Sequence, residues 1–315
     1  MQGAPTVHDT PLISAVIPTR NRPEIVKRAV HSALNQTYSN LEVVVVVDGP
    51  DPLTTQELAV IPDPRLRVIV LPQSEGGSGA RNAGVQAAQG SWIAFLDDDD
   101  EWTPSKIENQ LEIALHSRHK IPVVSSRILA RTPSHDYIWP RRFPSPQEPI
   151  SDYLFSRSGL FQGEGLIATP TLFTTRDFLL KVPFRRDLKK HQDWDWVIRA
   201  GMQEGAGFEF AEAPLAICYM DQTRPGISNS DDWRFSLNWA NEMRPYFTPQ
   251  AYSAFVLIVV AGQAAAATQR EYFGLLADSM RRGKCRLRHL LLFAGMRLFP
   301  REVRHEFRSW FGRAS

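Results

Sequence analysis

The stretch Val43-Val44-Val45-Val46-Val47-Asp48-Gly49-Pro50-Asp51 decides the fold. Five consecutive valines are apolar on both sides of an extended chain. That suits a strand of a parallel sheet covered on both faces. Asp48 to Asp51 then give a strong turn signal. Upstream, Leu12–Ile17 is a second apolar run, ended by Pro18-Thr19-Arg20-Asn21-Arg22-Pro23. Ile25, Val26, Ala29, Val30, Ala33 and Leu34 follow at helical spacing, with Pro23 in the first turn. Downstream, Leu66–Leu71 leads into Gly76-Gly77-Ser78-Gly79-Ala80-Arg81-Asn82-Ala83-Gly84, and a short Ala-rich helix is expected to run on to Gln89. Trp92–Leu96 is a fourth strand, stopped by Asp97-Asp98-Asp99-Asp100. Pro104–Ser117 reads as an amphipathic helix with Ile107, Leu111 and Leu115 on its apolar side.

This alternation implies an α/β fold: a mostly parallel, Rossmann-like central sheet with helices on both faces, followed by a helical C-terminal extension. Ligands of such sheets bind outside the carboxyl ends of the strands. The polar clusters around Thr19, Asp48 and Asp97–Asp100 all fall at such ends and are expected to meet in space. Further on, Thr132–Pro149 is rich in Pro, Arg and aromatics and reads as a long loop over a cleft. Short strands are expected near Ile167–Phe173 and Leu215–Tyr219, around a helix beginning near Gln192. From about Asp231 the pattern is helical. The resulting division is a first domain over residues 1–230, with parts of about 11–130 and 131–230, and an extension over 231–315.

The chain has 315 residues, 43% of them apolar and 22% charged, which excludes disordered, collagen-like and multi-span membrane classes. Its net charge of +2 hides a split. Residues 281–315 carry ten Lys/Arg against two Glu, whereas residues 1–280 carry 26 basic and 32 acidic side chains. Two cysteines make no disulfide framework, and Met1–Thr10 has no apolar leader core, so a cytoplasmic setting is expected. The longest apolar stretch, Phe255–Ala267, is 13 residues and too short to span a bilayer. No nucleic-acid partner is expected.

Three constellations could carry chemistry. Four aspartates at a strand end are costly unless a cation or donor groups neutralise them, and hard divalent ions take such oxygen ligands. The alternative is a solvated acidic turn. The glycine-rich stretch is neither a P-loop nor a Rossmann fingerprint. Gly76-Gly77-Ser78-Gly79-Ala80 is a near miss to a nucleophile elbow, which keeps a serine hydrolase using Ser78 as an alternative. The plain reading is a flexible turn before a helix. In His191-Gln192-Asp193-Trp194-Asp195-Trp196, a carboxylate one helical turn from an indole could serve as a general base; the alternative is an acidic first helical turn.

Pro18-Thr19-Arg20-Asn21-Arg22, Val47-Asp48-Gly49, Ala80-Arg81-Asn82-Ala83-Gly84, Phe95-Leu96-Asp97-Asp98-Asp99-Asp100 and Gln192-Asp193-Trp194-Asp195 occur in the order that resembles family-2 glycosyltransferases. The resemblance covers about residues 11–230. It implies the GT-A fold and transfer of a sugar, with inversion, from a nucleotide-diphosphate-sugar (a UDP-sugar foremost) to an acceptor hydroxyl. By it, Pro18, Thr19 and Arg20 line the base pocket, Asp48 accepts a hydrogen bond from the base, and Arg81 reaches the base or phosphates. Asp97 contacts the ribose, Asp99 holds Mn²⁺ or Mg²⁺ on the diphosphate, and Asp193 is the catalytic base. Trp194 and Asp195 lie on the acceptor side, where a carbohydrate, lipid-linked or other hydroxyl acceptor would sit. Many relatives carry a histidine after the base helix; Tyr219–Ser228 has none, leaving Asp221 as a ligand or Arg224 as a diphosphate contact. A nucleotide-sugar-binding module without turnover is the remaining alternative, and Asp193 argues against it.

The tail combines Arg281, Arg282, Lys284, Arg286 and Arg288 with Leu290–Phe293, Met296, Leu298 and Phe299, then Val303, Phe307, Trp310 and Phe311. Two readings stand: peripheral contact of residues 281–315 with the inner face of an anionic membrane, or a helical subdomain with solvated arginines.

Overall fold

The computed structural model describes residues 10–133, 135–156, 163–220, 232–264 and 267–298. The chain divides into two compact units. One comprises residues 1–139 and 167–222, the other 140–166 and 223–315.

The first unit is built on one sheet. Along the chain come β1 (Ile13–Thr19), α1 (Pro23–Leu34), β2 (Leu41–Val47), α2 (Pro52–Ala59), β3 (Leu66–Val70), α3 (Gly76–Ala87) and β4 (Trp92–Phe95). There follow β5 (Glu101–Trp102), α4 (Lys106–Leu115), β6 (Ile121–Arg131) and β7 (Asp136–Trp139). After α5 (Ile150–Phe155), which belongs to the second unit, the first resumes with β8 (Phe173–Thr175), α6 (Arg176–Lys181), α7 (Gln192–Gly201) and β9 (Ala206–Tyr219). The strand order is β3-β2-β1-β4-β8-β6-β9-β5, with β7 paired to β6. Pairings among β1 to β4 are parallel, as is β6 with β9, while β8 joins β4 and β6 antiparallel.

β2 lies between β1 and β3 and every one of its residues is buried, as its valine run predicts. Val44 and Val46 pack on Ala80 and Ala83 of α3, and the alternate valines point to the other face. Gly84 sets how near α3 can come. A Cβ there would stand 2.4 Å from Val16 Cγ1, so only glycine lets the helix lie on β1 at this depth.

Several elements depart from the sequence pattern. The glycine-rich stretch is itself the start of α3 rather than a turn before it. β6, eleven residues long, was not anticipated, because Ser125, Ser126 and Arg127 interrupt its apolar pattern. Ser125 of that strand and Thr171, which lies outside it, satisfy one another across 2.8 Å. Residues 136–139, expected in a loop, form β7. Leu115, assigned to the apolar side of α4, is exposed.

The second unit is helical. It joins α5 to α8 (Trp233–Glu242), α9 (Pro249–Ala254), a π-helical turn at Phe255–Val260 that runs into α10 (Ala261–Gln263), α11 (Gln269–Arg282) and α12 (Leu287–Leu298). Its core is aromatic: Phe255 meets Phe155 at 4.9 Å and Trp239 at 5.1 Å between ring centroids. That packing makes residues 140–166 companions of the C-terminal helices rather than of residues 167–222. Thr268 and Glu271 close a reciprocal capping box at the start of α11. No helix among the described residues is long and apolar enough to cross a membrane. Asp221, Arg224, Val303, Phe307, Trp310 and Phe311 lie outside the described residues.

Candidate active site

The carboxyl ends of β1, β2 and β4 meet as the topology requires. Beyond β1 the chain turns sharply: Asn21 adopts φ 53° and its N–H donates to Asp51 Oδ2 at 2.6 Å. This turn delivers Thr19, Arg20 and Arg22. Thr19 Oγ1 donates to Asp98 Oδ2 at 2.7 Å. Arg22 Nη1 reaches Asp98 Oδ1 at 2.6 Å and Asp99 Oδ2 at 3.0 Å. Arg20 is exposed and donates to Ser74 Oγ, while Pro18 lies partly buried within β1.

At the end of β2, Asp48 is buried and accepts from Ser74 Oγ at 2.7 Å, Glu75 N at 2.6 Å and Gly76 N at 3.0 Å. It therefore anchors the N-terminus of α3, where unpaired N–H groups and the helix dipole favour a carboxylate. Through Ser74, Asp48 is linked to Arg20. From the second turn of α3, Arg81 bridges two elements: Nη2 to Asp97 Oδ1 at 2.6 Å and Nη1 to Gln192 Oε1 at 2.9 Å. Gly77 leaves room for this bridge, since a Cβ there would lie 3.1 Å from both Arg81 Nη1 and Gln192 Oε1.

The four aspartates divide by environment. Asp98 and Asp100 are buried, whereas the side chains of Asp97 and Asp99 keep 29% and 32% of their exposure. Burial pushes the Asp98 carboxyl up to about 6, against the pull of Arg22 and Thr19. Burial also holds Asp100 well above the usual carboxylate range, and the charges of Asp97 and Asp99 add to it. A hard divalent ion bound with a diphosphate asks for one or two carboxylates. Asp97 and Asp99 offer oxygens of that kind, although no group of three ligating side chains suited to a metal exists among the described residues.

α7 brings the last component. His191, with φ 65°, turns the chain into the helix, so the two non-glycine residues with positive φ among those described both flank this site. The His191 ring stacks on Trp194 at 5.1 Å. Burial, with Lys190 adjacent, drives its pKa down to about 3, so it is neutral at pH 7. Asp193 Oδ1 accepts from Trp194 N at 2.9 Å. Burial raises the Asp193 carboxyl, Arg81 opposes that and Asp97 adds to it, while the preceding Gln192 is the residue that Arg81 holds. Asp195 departs from this group. It is 0% exposed and ion-paired to Arg199 at 2.7 Å and Arg185 at 3.6 Å, a fastening inside the fold rather than a surface group.

Ser78 does not form a nucleophile elbow. It is the third residue of α3, 1% exposed, and its Oγ has no hydrogen-bond partner among the described residues. Arg22 is a residue that the sequence reading left without a role. Its signal was available: it closes the Pro-Thr-Arg-Asn-Arg turn that faces the aspartates.

A parallel half-sheet with carboxylates and arginines at the carboxyl ends of its strands, where ligands of such sheets bind, is an α/β arrangement of the GT-A type. The family model for glycosyl transferase family 2 matches residues 14–181, more than half of the chain, and the protein belongs to that family. It is 27% identical over 259 residues to the amylovoran biosynthesis glycosyltransferase AmsB of Erwinia amylovora, covering 78% of this chain and 82% of that one. It is 38% identical over 100 residues to the UDP-Glc:alpha-D-GlcNAc-diphosphoundecaprenol beta-1,3-glucosyltransferase WfaP of Escherichia coli, 32% of this chain and 40% of that one. The mannosyltransferase PcManGT of Pyrobaculum calidifontis, solved with GDP-Man and Mn²⁺, shares the fold with a TM-score of 0.57 at 17% identity, over 95% of this chain and 90% of that one. The protein is thus a glycosyltransferase of a family with members in polysaccharide biosynthesis.

Proposed function

We propose that the first unit moves a sugar from a UDP-sugar to an acceptor hydroxyl with inversion, Asp193 acting as general base. The observation that carries this is the bridge from Gln192, the neighbour of Asp193, through Arg81 to Asp97 at the strand ends, beside a carboxyl that burial raises. An alcohol is a poor nucleophile until a positioned base takes its proton, and a carboxylate with a raised pKa does so more effectively near neutrality. In the step, the acceptor oxygen forms the new bond to the anomeric carbon as the bond to the diphosphate oxygen breaks. The acceptor proton passes to Asp193, and one displacement inverts the centre.

Thr19 and Arg20 border the base end of the site, and Asp48 supports it by holding the Ser74–Gly76 turn. Arg81 and Asp97 position the ribose and phosphate groups. Asp99, with Asp97 beside it, would hold Mn²⁺ or Mg²⁺, which as a Lewis acid stabilises charge on a departing diphosphate. Arg22 supplies part of that positive charge at Asp99. Trp194, on the same helical turn as Asp193, is assigned to the acceptor side. The acceptor is a carbohydrate or lipid-linked sugar, in keeping with the lipid diphosphate named for WfaP. The enzyme is assigned to the cytoplasm, with residues 281–315 in peripheral contact with the inner face of the membrane.

The test is sugar transfer from UDP-sugars with Mn²⁺ present. Asp193→Asn is expected to lower kcat by about 10²–10⁴-fold while donor binding persists. Asp99→Asn is expected to remove the metal dependence of donor binding. Undiminished turnover in Asp193→Asn would overturn the assignment of the base.

A further inference from the structure

The second unit contains a cleft of about 280 Å³ lined by Arg142, Arg286 and Arg288 together with Glu148, Asp152 and Gln250. Its two carboxylates are already engaged. Glu148 takes both arms of the Arg142 fork, at 2.6 and 2.7 Å. Asp152 accepts from Ser156 Oγ at 2.9 Å and Thr248 Oγ1 at 2.8 Å. Arg286 is exposed; its carbonyl accepts from His289 N, and its side chain makes no hydrogen bond or ion pair among the described residues. Arg288 is half-buried; burial and the like charges of Arg286 and Arg142 lower its guanidinium pKa, with Glu164 opposing them. Three guanidiniums line the cleft against two carboxylates, and Glu164 lies near enough to act on Arg288 as well.

Two further features narrow the ligand. α12 begins at Leu287, so the first-turn N–H groups of Leu287 and Arg288 have no partner within the helix, and an anion is favoured there. Guanidinium forks match phosphate oxygens in geometry as well as charge. Leu287 and Leu291, one turn apart on the same helix, are 73% and 59% exposed. Apolar side chains left in water beside a cationic cleft are what an interfacial helix presents to a membrane.

The geometry points to a phosphate-ester site in the Arg142–Arg286–Arg288 cleft, occupied by the phosphate of a lipid whose chains lie along Leu287 and Leu291. This deepens the membrane contact proposed for residues 281–315 and is independent of the transfer chemistry.

The experiment uses the full chain with vesicles of phosphatidylcholine alone, the same vesicles containing phosphatidic acid, and inorganic pyrophosphate in solution. Wild-type protein is expected to float with phosphatidic acid vesicles and to stay behind with phosphatidylcholine. The double variant Arg286→Gln/Arg288→Gln, its fold checked by circular dichroism, is expected to lose at least about tenfold in vesicle affinity, the scale of one or two charge-assisted contacts. Glu148→Gln, which frees the Arg142 fork, is expected to tighten binding. Leu287→Ser/Leu291→Ser is expected to weaken vesicle binding while leaving pyrophosphate binding as it was. Vesicle binding that survives in the arginine double variant would overturn the cleft while leaving membrane contact in place. Arginine-dependent pyrophosphate binding without vesicle binding would overturn the lipid as occupant. Equal recovery from both kinds of vesicle would overturn both.

Discussion

At Asp97–Asp100 four carboxylates follow one strand, and at Arg286–Arg288 two guanidiniums share a cleft with a third. The first cluster is resolved inside its own unit. Arg81 holds Asp97, Arg22 spans Asp98 and Asp99, and burial shifts Asp98 and Asp100 toward their neutral forms. The second is only partly resolved, since Glu148 is taken up by Arg142 and the Arg286 side chain has no hydrogen-bond or ion-pair partner among the described residues. The difference teaches how to read like-charge clusters. One compensated by its own fold has its geometry set in advance for a ligand, whereas one left in excess depends on a ligand for compensation.

The two clusters also rest on different frames: the first on main-chain hydrogen bonds of a parallel sheet, the second on aromatic packing. Breaking the second frame should have the largest effect on stability. Phe255→Ala removes a fully buried ring that contacts Phe155, Trp239 and Phe247, and is expected to cost about 4 kcal/mol in urea unfolding. A smaller effect, visible only through pH, belongs to the sheet-borne site. The folded-state pKa of His191 is depressed to about 3 from an ordinary 6.5. Its contribution to stability is therefore complete above about pH 6.5 and is lost as pH falls toward 3, at about 1.4 kcal/mol per unit. His191→Asn, which tolerates the positive φ, is expected to flatten the unfolding free energy between pH 6.5 and 5 by about 2 kcal/mol. An equally steep dependence in the variant would assign that slope to other groups. The smallest effect is local: Thr268→Ala opens the capping box of α11 and should lower stability by about 1 kcal/mol, read as a shift in Tm.

Much of the first unit was legible because its signals are local. The valine run of β2, the Pro23 start of α1 and the acidic stop after β4 each report backbone state through nearest neighbours. Helix α3 was misread because four glycines argue against a helix by propensity. What makes it helical is distant in sequence: Asp48 caps its start, and β1 requires Gly84 where it crosses. β6 escaped notice for the same kind of reason, since the partner that satisfies Ser125 stands 46 residues away.

The order of motifs along the chain was enough to indicate the family and the residues gathered at the strand ends. The sequence could not say which of four adjacent aspartates face outward, that Asp195 is sealed beneath two arginines, or that Arg22 lies across Asp98 and Asp99. It could not show that residues 140–166 complete a helical unit with a cationic cleft. Those facts depend on which side of a turn a side chain falls and on what arrives from remote parts of the chain. Burial and charge compensation are properties of the packed whole, whereas strand, turn and helix patterns are written residue by residue.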